Sequence, residues 1–248
     1  MRKATIVLLA VVAATWACKG RSGGGGGGGG GSGGFDRALE EAQPMFATLA
    51  AVRDAVPPVD KLQPAECPKD EFQPDGDRTQ TLLRLPWNTL LRITGGDETR
   101  ETTVDSQLGG FTASSFSRIA GLSGPTKEAW RYPNEGTVRE AMAELERYRF
   151  AAVLYPTKVR EGAFLGRNFQ PGSAEGWIVV VRLEDAQPVC QAQVRAENGN
   201  AVSFQNARGG GSAQGYVTGG EAAVREDLRK QLAKAIDQTI QEMTGGAR

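Results

Sequence analysis

Nine consecutive glycines, Gly23–Gly31, decide where in this 248-residue chain a fold can begin. A run without side chains buries nothing, and glycine loses more conformational freedom on folding than any other residue. With Lys19-Gly20-Arg21-Ser22 before it and Ser32-Gly33-Gly34 after it, the segment reads as a flexible coil. From Lys19 to Gly34 its r.m.s. reach is roughly 20–24 Å, and about 55 Å at full extension. Folding is therefore left to residues 35–248, a length suited to one medium domain. A domain of that size buries enough apolar surface to fold without a metal or dense disulfides.

Ahead of the glycines, Met1-Arg2-Lys3 precedes Ala4–Ala17, a stretch without charge and almost wholly apolar. A basic start, a short apolar core and a small residue before the cut make a secretory signal peptide. As a helix that core would span about 21 Å, too little to cross a hydrocarbon layer of about 30 Å. Thr15-Trp16-Ala17-Cys18 then resembles the lipobox of bacterial lipoproteins. The resemblance implies diacylglycerol on the Cys18 sulfur and cleavage before it. Residues 1–17 would be the signal peptide and 18–34 a lipid-anchored tether. Lys19 after the cysteine, in place of aspartate, implies by the same resemblance the outer membrane of a two-membrane bacterium. Thr-x-Ala also fits an ordinary signal-peptidase site at the same bond, which would leave Cys18 a plain thiol on a soluble periplasmic protein. A long spacer makes sense beside a fixed anchor and little sense at a free end, which favours lipidation.

The charge balance narrows the partners. Basic and acidic side chains number 29 each, and Arg2 and Lys3 leave with the leader. A slightly acidic mature chain argues against nucleic acid, whose binders carry a basic excess. No polybasic block is present to hold a membrane surface electrostatically. The chain also has no histidine. Ser-His-Asp and Cys-His nucleophile systems, histidine metal sites and histidine proton shuttles are thereby removed. No catalytic residue, cofactor or metal is assigned.

Along the domain, Phe35, Leu39, Met45, Phe46, Leu49, Val52 and Val56 recur at helical spacing, with Pro44 interrupting the ladder. This predicts a kinked helix or two short ones, ended by Pro57-Pro58. Residues 57–80 form a polar loop holding Cys67. Residues 82–93 are apolar and fit strand or short helix equally. Residues 94–135 read as a mobile loop, or as short strands such as one near Phe111–Phe116.

The part from 137 to 244 is better defined. Thr137-Val138-Arg139-Glu140 is a capping box, followed by Val138, Met142, Leu145 and Tyr148 on one helical face. Strands are predicted at 150–155, stopped by Pro156, at 177–183, central and apolar on both faces, and at 189–196. A hairpin at Asn198-Gly199-Asn200 leads to a fourth strand over 201–205. Thr218-Gly219-Gly220-Glu221 is a second capping box, opening a helix whose stripe is Val224, Leu228, Leu232, Ile236, Ile240 and Met243. Glu221 with Arg225, and Glu226 with Lys230, add ion pairs at i,i+4. The expected class is α+β, an antiparallel sheet of about four strands backed by N- and C-terminal helices.

Few residues point to chemistry. Cys67 and Cys190 are expected to join, since an oxidising compartment forms the bond and nothing there reverses it; a core Cys190 and a free Cys67 is the alternative. The glycine-rich 209–215 lacks the Gly-Lys-Ser/Thr ending of a phosphate loop and reads as a surface loop. Ser123-Gly124-Pro125-Thr126-Lys127 misses the serine–lysine spacing by one residue and reads as a turn. Asp97-Glu98 and Glu184-Asp185 lie in predicted turns. Of the aromatics, Trp130 and Tyr132 are candidate ligand-facing residues in a polar loop, whereas Trp87 is left open and Trp177 is expected to pack. The reading is a non-catalytic, membrane-tethered envelope lipoprotein, an accessory or adaptor domain for a protein partner or the cell wall. A carboxylate-dependent hydrolase of an envelope polymer is the rival, and a small-ligand carrier a weaker one.

Overall fold

In the computed structural model, which describes residues 32–72, 82–95, 116, 119, 135–165, 168–199 and 214–246, two helices stand where the Pro44 interruption predicted a break. They are α1, Ser32–Glu41, and α2, Gln43–Ala55, with Pro44 in the first turn of α2, where its missing N–H costs nothing. Val56 leaves α2 in an extended conformation, ahead of Pro57-Pro58. Helix α1 begins three residues inside the stretch read as tether. Gly34 lies beside the Glu135 carboxylate, the movable end of a side chain that a Cβ there would meet at 2.5 Å.

The apolar stretch after residue 81 proves to be both of its alternatives. Leu82–Pro86 is strand β1, and Trp87–Thr94 is helix α3. Pro86, extended at φ −59° and ψ 142°, is the switch between them. Gly95 ends α3 in the left-handed conformation at φ 70°, its N–H donating to the Leu91 carbonyl. Phe116 and Ile119 are helical and buried, so residue 116 belongs to no strand. Helix α4, Glu135–Leu145, opens two residues before the Thr137 capping box.

The remaining strands are β2 (Phe150–Arg160), β3 (Ala163–Leu165), β4 (Asn168–Gln170), β5 (Ser173–Arg182) and β6 (Pro188–Glu197). Strands β3 and β4 form a small hairpin, and the main sheet has the order β1-β2-β5-β6. Its central pair β2–β5 and the outer pair β5–β6 are antiparallel as expected, but at the other edge β1 lies parallel to β2. The four-stranded sheet is thus mostly antiparallel, as expected, with β1 as a parallel addition at its edge. A parallel partner needs a long crossover, and the chain between Pro86 and Phe150 supplies it through α3 and α4. The predicted fourth strand at 201–205 lies outside the described residues.

Pro156 does not stop β2. The strand continues to Arg160 through a register shift between Pro156 and Lys158, beyond the point where β1 ends at its Pro86–Leu154 pair. Proline is tolerated at a bulge or on an unpaired side because no ladder bond is lost there. Gly176 faces it, and a Cβ on Gly176 would sit 2.8 Å from the Tyr155 carbonyl oxygen.

Alternation along the strands sends side chains to two cores. Leu83, Leu85, Ala151, Val153, Val179 and Val181 meet α1 to α4 on one face. Phe150, Ala152, Leu154, Ile178, Val180, Cys190, Val194 and Ala196 meet the last helix on the other. That helix, α5, runs Gln214–Thr244, four residues earlier than its capping box predicted. Its stripe is as read: Val224, Leu228, Leu232, Ile236 and Ile240 are buried and Met243 partly so. Glu226 pairs with Arg229 at 3.1 Å rather than with Lys230. The class is α+β, with the sheet between two helical layers.

Candidate functional site

Three features of this frame carry polar or reactive groups. The first is a strap along the β6 edge. Cys67 and Cys190, 123 residues apart in sequence, form a disulfide across a Cα–Cα distance of 4.9 Å. One residue on from Cys190, Gln191 exchanges both backbone bonds with Ala65, at 2.9 and 3.2 Å. The segment then lays Phe72 on Phe150, ring centroids 4.7 Å apart, and Glu71 accepts from Arg182 at 2.8 Å. An edge strand with unpaired N–H and C=O groups invites foreign strands, and this strap closes the first part of β6.

The second feature is a cross-strand row. Tyr155 on β2 pairs with Trp177 on β5, which pairs with Gln193 on β6, so the three side chains share one face. Trp87, the first residue of α3, leans on Tyr155 with centroids 4.9 Å apart and planes 43° apart. Trp87, Tyr155 and Trp177 are partly buried against the core edge, and Gln193 is exposed. Trp177 packs, as its strand position implied. Beside the row, Arg195 lies 3.7 Å from Glu175 and 2.9 Å from Glu197. Gln191, one step along the same face, holds a buried Oε1 with no hydrogen-bond partner among the described residues. A buried acceptor left so is costly until something donates to it.

The third feature joins the end of β6 to α5. Buried Asn198 accepts from the Gly172 N–H at 2.8 Å and donates from Nδ2 to the Val224 carbonyl at 2.8 Å and Asp227 Oδ2 at 2.9 Å. Its amide orientation follows from its partners, since a backbone N–H only donates and a carbonyl only accepts. The Gly199 N–H donates to the same Asp227 oxygen at 3.0 Å. Burial works against the charge on Asp227. Hydrogen bonds from Asn198, Gly199 and Gln231, and the nearby Lys230, outweigh it and hold the carboxyl below its ordinary value. The hairpin expected at Asn198-Gly199-Asn200 runs on into residues outside the described ones, and nothing in the sequence signals Asn198 as a buried tie.

The other sequence candidates fall as follows. Cys18, Trp130 and Tyr132 lie outside the described residues, as do Asp97-Glu98, the Ser123–Lys127 stretch and the loop before Gln214. Glu184 and Asp185 are exposed on the β5–β6 turn, with Asp185 held by Arg182 at 3.0 Å, not in a cleft. Among the described residues no group of three or more metal-ligating side chains occurs, and no helix is long and apolar enough to cross a membrane. Two narrow hollows flank α5. One, a shallow open cleft, runs between Glu161-Gly162 and Arg225, Leu228 and Leu232. The other, equally shallow, lies between Pro86, Leu154 and Ile240.

Fold and site together define a disulfide-strapped α+β domain with its sheet between two helical layers and the end of β6 tied to α5. The chain matches no family model, and no curated protein or solved structure is similar to it.

Proposed function

We propose that this protein is an envelope lipoprotein, held to the outer membrane through Cys18, whose domain is an adaptor for a protein partner or the cell wall. The observation that carries the reading is the Cys67–Cys190 disulfide. Such bonds persist in oxidising compartments, which is where the leader before Cys18 would deliver the chain. The glycine tether then gives the domain freedom to search for its partner from a fixed point. The surface best suited to that partner is the Trp87–Tyr155–Trp177 row with its polar margin of Gln193, Arg195 and Glu197. Partly buried aromatics beside exposed amide, guanidinium and carboxylate groups give rigid apolar contact with a hydrogen-bonding rim.

Two measurements test the two halves of the reading. Cys18→Ser in the full precursor should move the protein from the membrane to the soluble envelope fraction, and intact-mass analysis should show the diacylglycerol gone. An unchanged fraction and mass for the variant would remove the anchor. A photo-crosslinker placed at Gln193 in the native, membrane-held protein should give a discrete adduct with protein or peptidoglycan. The same group at exposed Lys234, on α5 across the sheet, should give none. Equal labelling from both positions would reject this face as the binding surface.

A further inference from the structure

Asn198-Gly199 is the only Asn-Gly pair in the chain, and it lies where β6 is tied to α5. This dipeptide is chemically unstable, because glycine leaves its backbone nitrogen unhindered. Once that nitrogen loses its proton to solvent base, it can bond to the asparagine Cγ. The Cγ–Nδ2 bond then breaks, and ammonia leaves with a proton taken back from water. Water opens the resulting succinimide at either carbonyl, giving aspartate or isoaspartate. No oxidant or reductant enters.

Here both reacting groups are held apart from that path. The Gly199 N–H is occupied by Asp227 Oδ2 at 3.0 Å, which also opposes loss of its proton by placing negative charge beside it. The Asn198 amide is fixed at both ends, Oδ1 by Gly172 and Nδ2 by Val224 and Asp227. Its backbone N–H is bound as well, to the Gly172 carbonyl at 3.0 Å. Two of these partners, Val224 and Asp227, stand on α5. The reaction therefore needs the early part of α5 to lift away.

The product cannot be received back. Aspartate at 198 would place a carboxylate oxygen where Nδ2 now donates, against the Val224 carbonyl and the Asp227 carboxylate, two acceptors and one of them charged. Isoaspartate would also lengthen the backbone at the point where Gly162, Gly172 and Asn198 are in closest contact. We propose that Asn198-Gly199 is a latent deamidation site kept silent by the docking of α5, and that its conversion holds the early part of that helix off the sheet. Episodes of undocking, by stress or by a partner, would then be recorded covalently.

The experiment follows conversion at Asn198 by peptide mapping and mass spectrometry in the full chain at mildly alkaline pH, folded and in urea. The folded protein should convert at least roughly tenfold more slowly than the unfolded one, and Asp227→Ala should raise the folded rate roughly tenfold or more. Equal rates folded and unfolded overturn the protection. Should Asp227→Ala fail to fold by circular dichroism, Val224→Ala decides the point: it loosens the same turn, and an unaltered rate overturns the role of α5. Hydrogen exchange on the converted protein reads the second half of the proposal. Faster exchange confined to the helix near Val224–Leu232 is expected, and a wild-type pattern there overturns it.

Discussion

Reducing the Cys67–Cys190 bridge in the folded protein is expected to lower its stability to urea by about 3–5 kcal/mol. The loop it closes spans 123 residues, and a cross-link of that length removes much of the freedom of the unfolded chain. The folded side adds to the loss. Without the bond, the Ala65–Gln191 pair, the Phe72–Phe150 contact and the Glu71–Arg182 bond must hold the strap alone. A domain of this kind has about 5–15 kcal/mol in total, so the reduced form should sit near the margin. Urea titrations of the oxidised and the reduced, alkylated protein give the comparison, and a midpoint change worth less than about 0.5 kcal/mol would contradict the argument. A protein made where thiols stay reduced should accordingly be prone to proteolysis within the strap.

The helices were legible because their apolar stripes report a local period. Met45, Leu49, Val52, Val138, Val224, Leu232 and Ile236 are all buried where the spacing put them. Ala38 and Ala42 are fully buried too, yet small residues carry little signal in a stripe; their burial follows from how closely α1 is packed. The strands were legible in the middle and not at their ends. Pro156 and the residues after it read as a stop, since nothing local reveals that β1 has already ended on that side. Strand β1 itself was ambiguous because Leu82-Leu83-Arg84-Leu85 fits either period. Its parallel partner Phe150 lies far along the chain, beyond any local window.

Of the site, the disulfide could be read, since its basis is chemical: Cys67 and Cys190 are the two cysteines left beyond the leader and Cys18, and the compartment the leader implies would join them. The aromatic row could not, because which of Trp87, Tyr155 and Trp177 share a face depends on register between strands. Asn198 has a second use that its dipeptide does not reveal. Asn-Gly is a turn signature, and the structure uses the same side chain as a buried connector to Asp227, 29 residues on. The glycine pair beneath it was equally silent, for glycine in a loop suggests freedom, whereas Gly162 and Gly172 are required for lack of space.

That lack of space carries the last prediction. Gly172→Ala should destabilise the protein by about 2–4 kcal/mol, far more than the loss of flexibility alone would suggest. A Cβ on Gly172 would lie 2.5 Å from the Gly162 nitrogen, 2.7 Å from the Arg160 carbonyl oxygen and 2.9 Å from Asn198 Oδ1. The first two are backbone atoms, which cannot swing aside as a side-chain tip can. Relief requires the start of β5 to move away from the end of β2, and that motion strains the Gly172–Asn198 bonds on which the α5 tie depends. Gly95→Ala is the informative comparison. Its φ of 70° disfavours a side chain, but nothing lies within 4 Å of the new Cβ. Its cost should therefore be about 1–2 kcal/mol, from conformation only. Urea midpoints for the two variants should differ in that order, and hydrogen exchange should place the extra loss in Gly172→Ala at the first turns of α5 seen to contact Asn198. Equal losses for the two glycines would mean that the β2–β5 start is loosely packed, and that Asn198 holds α5 less firmly than its hydrogen bonds imply.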